Sequence, residues 1–401
     1  MGWPEYLLAT VFLRVLNRAF SMLPIRRRRV VLATARNQIL EGNLLHLHRA
    51  IKQAHPGLEL RLLLEPYGYG LRGKVAYLAR LVRGMYYLQT ARLFVIDNAY
   101  FPIHVAGHRP ETTVVQIWHA AGALKRFGLD APAVRGPTER RFLHRNYDYV
   151  VVGGDAARAP YAAALRTPVE RVLALGSPRT DFFFDEASMA VARRRLLAEH
   201  PELDGRTVVL YAPTFRGRGE ARRAAPGFDA VRLRSMLPAE YALVLKTHPN
   251  LEPRATPTAG YDVVIDPGAE INEVFTLADI LVTDYSSSIF EWALLRRPLV
   301  LLVPDLDEYV SDPGLYLDYR AEMIGTQVAD TNAAAAAITG GAFDLSGYAD
   351  FVHRHLRASD GTASARFVEH FLGPVPAPDG RSGVPVSAGR SDTLPLDVSH
   401  E

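Results

Sequence analysis

Short apolar runs rich in Val, Ile and Leu recur along the chain, each followed by a helical pattern, and this alternation limits the possible folds more than any other feature. The first series reads "RVVLAT" (29–34), "LELRLLLE" (58–65), "ARLFVID" (91–97), "TTVVQIWH" (112–119), "YDYVVVGG" (147–154) and "RVLALGSP" (171–178). A second reads "TVVLYAPTF" (207–215), "YALVLKTHP" (241–249), "YDVVID" (261–266), "DILVTDY" (279–285) and "PLVLLVP" (298–304). Strands that are apolar at nearly every position lie in parallel sheets covered on both faces by helices. Two series predict an α/β chain of two doubly wound domains, 29–178 and 179–372, joined around 178–206. The 401-residue length suits two cores. Residues 373–401, rich in Pro, Gly and Ser, read as a disordered tail.

The N-terminal stretch 1–28 reads as a separate amphipathic, basic segment. Arg14, Asn17, Arg18 and Ser21 interrupt its apolar run at helical spacing, so it is too broken to span a bilayer. Positive charge follows the apolar stretch instead of preceding it, unlike a signal peptide. Two uses fit: a helix lying on a membrane surface, with Arg26 to Arg29 drawn to anionic headgroups, or a helix packed on the protein's own core. The membrane surface is the expectation carried forward.

Composition removes other classes. A net charge of +3, without basic repeats or zinc-finger spacing, does not call for nucleic acid. With no cysteine, disulfide and thiolate chemistry are excluded. There is no G-x-x-x-x-G-K-[ST] loop and no G-x-G-x-x-G after the first strand, which removes support for ATPase and dinucleotide readings. No H-E-x-x-H or paired-His spacing suggests a metal, and no cofactor is expected.

In open parallel sheets ligands bind beyond the carboxyl ends of the strands, and there the unusual polar residues gather. Trp118 and His119 end one strand, and Asp97 and Asn98 another; the last two either line a cleft or are simply turn residues. His is the side chain best suited to take a proton near neutral pH. Lys125 follows His119 within a turn or two. Thr214 and Arg216 close a third strand, the guanidinium suiting bidentate phosphate contact. In "VLKTHPN" strand alternation sets Lys246 and His248 on one side and Thr247 on the other. Finally "TDYSSSIFEWALL" puts Thr283 and the hydroxyls of Ser286, Ser287 and Ser288 where a helix begins. They serve either as caps or, with free N–H groups and a partial positive charge, as an anion cradle. Asp284 fits the role of ordering that turn.

The strings "VIDNAYFP", "VQIWHAAGALKRFG", "GSPRTDFF", "VVLYAPTFRG", "LVLKTHPN" and "LADILVTDYSSSIFEWALLRRPLVLLVPDLDEY" together resemble, in order, the CDP-glycerol glycerophosphotransferase family, which primes and polymerises teichoic acids and related capsular polymers. The resemblance implies a GT-B-like fold, two Rossmann-like domains facing a cleft, with a CDP-polyol donor held by the C-terminal half and the acceptor by the N-terminal half. It implies that His119 is the general base and that His248 binds and polarises the donor pyrophosphate. Lys246, Thr214, Arg216, Thr283 and the three serines would bind donor phosphates. Asp97, Asn98, Trp118 and Lys125 would line the acceptor side. The expected activity is transfer of a polyol phosphate, first of all glycerol phosphate, to a hydroxyl of a lipid-linked polyol-phosphate or glycan acceptor, with release of CMP, at the inner face of the cytoplasmic membrane. Where many members read W-H-G-T this chain reads Trp118-His119-Ala120-Ala121, which bears on polyol and acceptor fit. A nucleotide-sugar glycosyltransferase and a non-catalytic membrane scaffold remain the competing readings.

Overall fold

The computed structural model describes residues 3–36, 38–64, 70–131, 137–217, 225–247 and 258–374. Among these, the strands in chain order are β1 (Arg26–Thr34), β2 (Glu59–Leu64), β3 (Ala91–Ile96), β4 (Thr113–Gln116), β5 (Tyr149–Val151), β6 (Val172–Leu173), β7 (Thr207–Tyr211), β8 (Tyr241–Lys246), β9 (Val263–Ile265), β10 (Ile280–Thr283), β11 (Leu299–Leu302) and β12 (Thr326–Val328). They form two six-stranded sheets, ordered β2-β1-β3-β4-β5-β6 and β12-β11-β10-β7-β8-β9. Every strand pair is parallel. The apolar runs called for this arrangement. The strand β12 was not anticipated, because "TQV" carries two polar residues at a sheet edge.

Burial on both faces explains why the strands read as continuous apolar runs. In the first sheet Val30, Leu32, Leu93 and Val95 face the helix Gly42–Ala54 through Leu44, Leu47 and Ile51. The alternate residues Val31, Ala33, Phe94 and Ile96 face the helix Gly70–Thr90 through Leu81, Met85 and Leu88. In the second sheet Leu210, Val244, Leu281 and Leu301 pack under Ile289, Phe290 and Trp292 of the helix Ser288–Leu295. Val209, Leu243, Val282 and Val300 pack on the other side against Leu233, Ala334 and Ile338. Each buried Val, Leu, Ile, Met or Phe among these contributes about 1.5–3 kcal/mol on leaving water.

Two boundaries differ from the expected ones. The N-terminal helix Trp3–Phe20 is not a separate segment: Leu13 is fully buried in the first domain's core, with Tyr6, Leu16 and Phe20 packed beside it. Its outer side leaves Leu8, Val11 and Val15 exposed. Arg26, Arg27 and Arg28 are exposed, but Arg29 is buried and ion-paired to Glu59 at 3.1 Å, so it is not available to headgroups. At the other end, the helix Ala363–Leu372 leaves the second domain and places Phe367, Val368 and Leu372 on the Val30–Leu32 face of the first sheet. The proposed tail, 373–401, lies outside the described residues from 375 onward.

Each sheet has a switch point where the order of connection reverses, between β1 and β3 in the first and between β7 and β10 in the second. Such points leave a crevice at the carboxyl ends of the strands.

Candidate functional site

A cleft of about 210 Å³ opens at these switch points. From the first domain it is lined by Arg36 after β1, Asp97 after β3, Trp118 and His119 after β4, and Glu41, Gly42 and Asn43 at the start of their helix. From the second it is lined by Thr214 after β7, Lys246 and Thr247 at the end of β8, Glu270, Ser286, Ser287, Ser288 and Glu291. Arg179, in the linking 3₁₀ turn Pro178–Phe184, lies on its wall.

The three serines line the cleft at the start of the helix Ser288–Leu295 and remain partly exposed. Ser287 occupies the N-cap position, yet its side chain makes no capping hydrogen bond. Ser286 Oγ accepts from Ser288 N at 3.3 Å and lies 2.7 Å from Ser288 Oγ. The hydroxyls are therefore organised by each other more than by capping, and an anion at this helix start would meet N–H groups and a positive dipole end. Asp284 orders the turn: it accepts from Thr214 N at 2.8 Å, Thr214 Oγ1 at 3.0 Å and Arg216 Nη1 at 2.8 Å.

Lys246 is buried at the strand tip, its ammonium donating to Pro267 O at 2.7 Å and Thr247 O at 3.2 Å. Burial lowers its pKa to about 8. Thr247 lines the same cleft rather than facing away from it. His248 lies outside the described residues.

On the opposite wall, Asp97 is pushed up to about 6 by burial, against a hydrogen bond from Thr34. Its Oδ1 has no hydrogen-bond partner among the described residues. His119 is half-buried, its ring 4.7 Å from that of Trp118, which in turn lies tilted against Phe127 at 4.9 Å. The loop beyond His119 runs against the second domain. A Cβ at Gly122 would sit 2.5 Å from the Phe290 ring, so only Gly permits this approach.

Four sequence-assigned residues are elsewhere. Arg216 is clamped by Asp284 at 2.8 Å and Asp305 at 2.6 Å, and it lines a separate pocket. Lys125 shares that pocket, its amine 5.3 Å from the centre of the Tyr309 ring. Burial lowers this lysine to about 8. Thr283 is fully buried and donates to Ala212 O at 2.6 Å. Asn98 turns inward, accepting from Ala35 N at 3.2 Å through its side chain and from Gln116 Nε2 at 2.9 Å through its carbonyl. Conversely, Arg36, Glu41, Asn43, Arg179, Glu270 and Glu291 line the cleft without having been singled out. Two of them had a signal, since Arg179 in "GSPRTDFF" and Glu291 in "TDYSSSIFEWALL" belong to strings of the family resemblance. Among the described residues no group of three or more His, Asp or Glu is placed to hold a metal ion.

Comparisons with known proteins agree with this architecture. A family profile described as CDP-Glycerol:Poly(glycerophosphate) glycerophosphotransferase matches residues 15–373. The teichoic acid ribitol-phosphate primase of Bacillus spizizenii is 34% identical over 316 residues, covering 76% of this chain and 80% of that protein. The teichoic acid poly(ribitol-phosphate) polymerase of the same organism is 32% identical over 91% of this chain, which spans 61% of the polymerase. A glycerol-phosphate primase of Bacillus subtilis is 28% identical, covering 73% of this chain and 77% of that protein. The solved structure of the wall teichoic acid polymerase TagF superposes with a TM-score of 0.70 at 19% identity, over 92% of this chain and 96% of the TagF chain. That likeness establishes a GT-B-like fold.

Proposed function

This chain belongs to the CDP-glycerol:poly(glycerophosphate) glycerophosphotransferase family, and from that premise we propose that it transfers a polyol phosphate from a CDP-polyol to a hydroxyl of a membrane-linked acceptor, releasing CMP. The observation that carries the reading is the cleft itself. It sets an imidazole and a carboxyl from one sheet across from a lysine and a serine-lined helix N-terminus from the other.

In the proposed step the acceptor hydroxyl gives its proton to His119 and its oxygen attacks the β-phosphorus of the donor. The bond from that phosphorus to the bridging oxygen breaks, and CMP leaves with the electron pair. Charge gathers on phosphate oxygens, which Lys246 and the N–H group at Ser287 are suited to receive. The resemblance gives His248, which lies outside the described residues, the role of binding and polarising the donor pyrophosphate. The family profile names glycerol, whereas two of the more similar relatives are ribitol-phosphate enzymes. CDP-glycerol and CDP-ribitol are therefore the donors to compare.

The exposed Leu8, Val11, Val15 and Met22, next to Arg26, Arg27 and Arg28, support a membrane-surface acceptor. No helix among the described residues is long and apolar enough to cross a membrane.

The test is CMP release with CDP-glycerol, CDP-ribitol and UDP-sugars, each with and without a lipid-linked acceptor. Acceptor-dependent CMP release from one CDP-polyol is expected. Turnover of a UDP-sugar alone would replace this reading with a glycosyltransferase, and no turnover of any donor would favour the scaffold.

A further inference from the structure

The loop that carries His119 holds an unfavourable backbone shape. Trp118 has φ 49°, in the left-handed region that costs a bulky residue free energy and persists only where the surroundings over-determine it. Three contacts do so here. Gln116 Oε1 accepts from Trp118 N at 2.9 Å, Asn43 Nδ2 donates to Trp118 O at 3.0 Å, and Arg179 Nη1 donates to His119 O at 3.3 Å.

Asn43 links three parts of the chain. It is buried, and its Oδ1 accepts from Ser177 Oγ at 3.0 Å and from Arg179 N at 2.9 Å. Arg179 then reaches across the cleft: Nη2 lies 2.8 Å from Glu270 Oε1 and 3.2 Å from Asn272 Oδ1, and Nε lies 3.5 Å from Glu291 Oε1. The backbone of His119 is thus tied, through the interdomain linker, to the helix that opens with the three serines.

We propose that Asn43 and Arg179 are positioning residues that set the His119 imidazole against the donor side of the cleft. This rests on the reading of His119 as the base. A general base must stand within hydrogen-bond reach of its proton, and a displacement of about 1 Å can cost on the order of 100-fold in rate. Neither residue needs to touch a substrate to have that effect.

Asn43→Asp tests the idea selectively. It keeps an acceptor for Ser177 and Arg179 but sets a second carboxylate oxygen against the Trp118 carbonyl. The expected result is a kcat about 10–100-fold lower with the calorimetric Kd for the accepted CDP-polyol unchanged. Because a protonated carboxyl can donate to Trp118 O, the ratio of N43D to wild-type kcat should rise as pH falls. Arg179→Lys keeps a cation between Glu270 and Glu291 while losing the fork that reaches His119 O, so the same split is expected at about 10-fold. Thermal melting identifies which variant folds, and R179K carries the test if N43D does not. Wild-type kcat in a folded variant, or kcat and donor affinity falling in step, overturns the proposal. His119→Ala is run alongside. An active H119A removes the base reading itself, whereas an inactive H119A beside unimpaired N43D and R179K removes only this inference.

Discussion

Arg216 and Arg179 are two arginines each held by a pair of acids, and both engage the segment from Asp284 to Glu291, yet they do opposite things with their charge. Arg216 has its carboxylates at 2.6 and 2.8 Å and is 5.0 Å from the centres of both the Tyr285 and Tyr309 rings. Its nitrogens donate to Asp284, Asp305 and Thr214, in a pocket apart from the cleft. Arg179 contacts Glu270 at 2.8 Å and Glu291 only at 3.5 Å, donates to the His119 carbonyl, and lies on the cleft wall. A strand-end position and a suitable residue type do not make a ligand. The acids that meet the side chain decide, and they come from far along the chain.

The sharpest way to break this contrast is to remove the group that only one of the two regions serves. His119→Ala should lower kcat by about 10²–10⁴-fold, the range general base catalysis supplies, measured as acceptor-dependent CMP release. If it does not, the cleft is not where the chemistry occurs. Arg216→Met should instead act on folding. Leaving Asp284 and Asp305 without their cation should cost about 3–5 kcal/mol in denaturant unfolding, while the folded fraction keeps its donor affinity. A donor Kd that weakens in step would return Arg216 to the binding site.

Asp97→Asn separates a strained charge from a stabilising one. The folded carboxyl keeps its proton to about pH 6, whereas the unfolded one loses it near 3.8. Native stability therefore falls as pH rises through that window and stays lower above it. The Asn variant should gain about 3 kcal/mol at neutral pH, and the gain should vanish below the unfolded value. A pH-independent difference in Tm would contradict the buried-carboxyl account. The smallest effect is expected for Lys246→Met: about a tenfold weaker donor Kd, worth about 1.4 kcal/mol, with the pH dependence of binding altered near the lysine's value of about 8.

The sheets were legible because a strand buried on both faces must be apolar at nearly every position, as in "RVVLAT" and "DILVTDY". Asp97, Trp118, His119, Thr214, Lys246 and the three serines could be placed in the cleft by the strand-end rule alone. Thr283 failed because its side chain turns back to the Ala212 carbonyl, and Asn98 because it closes the turn behind Ala35. Asn43, Arg179 and Glu291 went unread for a different reason. Their place in the cleft comes from contacts that join distant parts of the chain, such as Asn43 to Trp118 and Arg179 to Glu270. No local pattern reports such contacts.

The return of the last helix, Ala363–Leu372, to the first sheet has a consequence for how the molecule is made. During synthesis the N-terminal half emerges early with its own helix Gly42–Ala54 over Val30, Leu32 and Val95, but without the part of that cluster that Phe367 and Val368 supply. A fragment stopped at the linker would leave the apolar side chains that the last helix covers in contact with water, which invites aggregation.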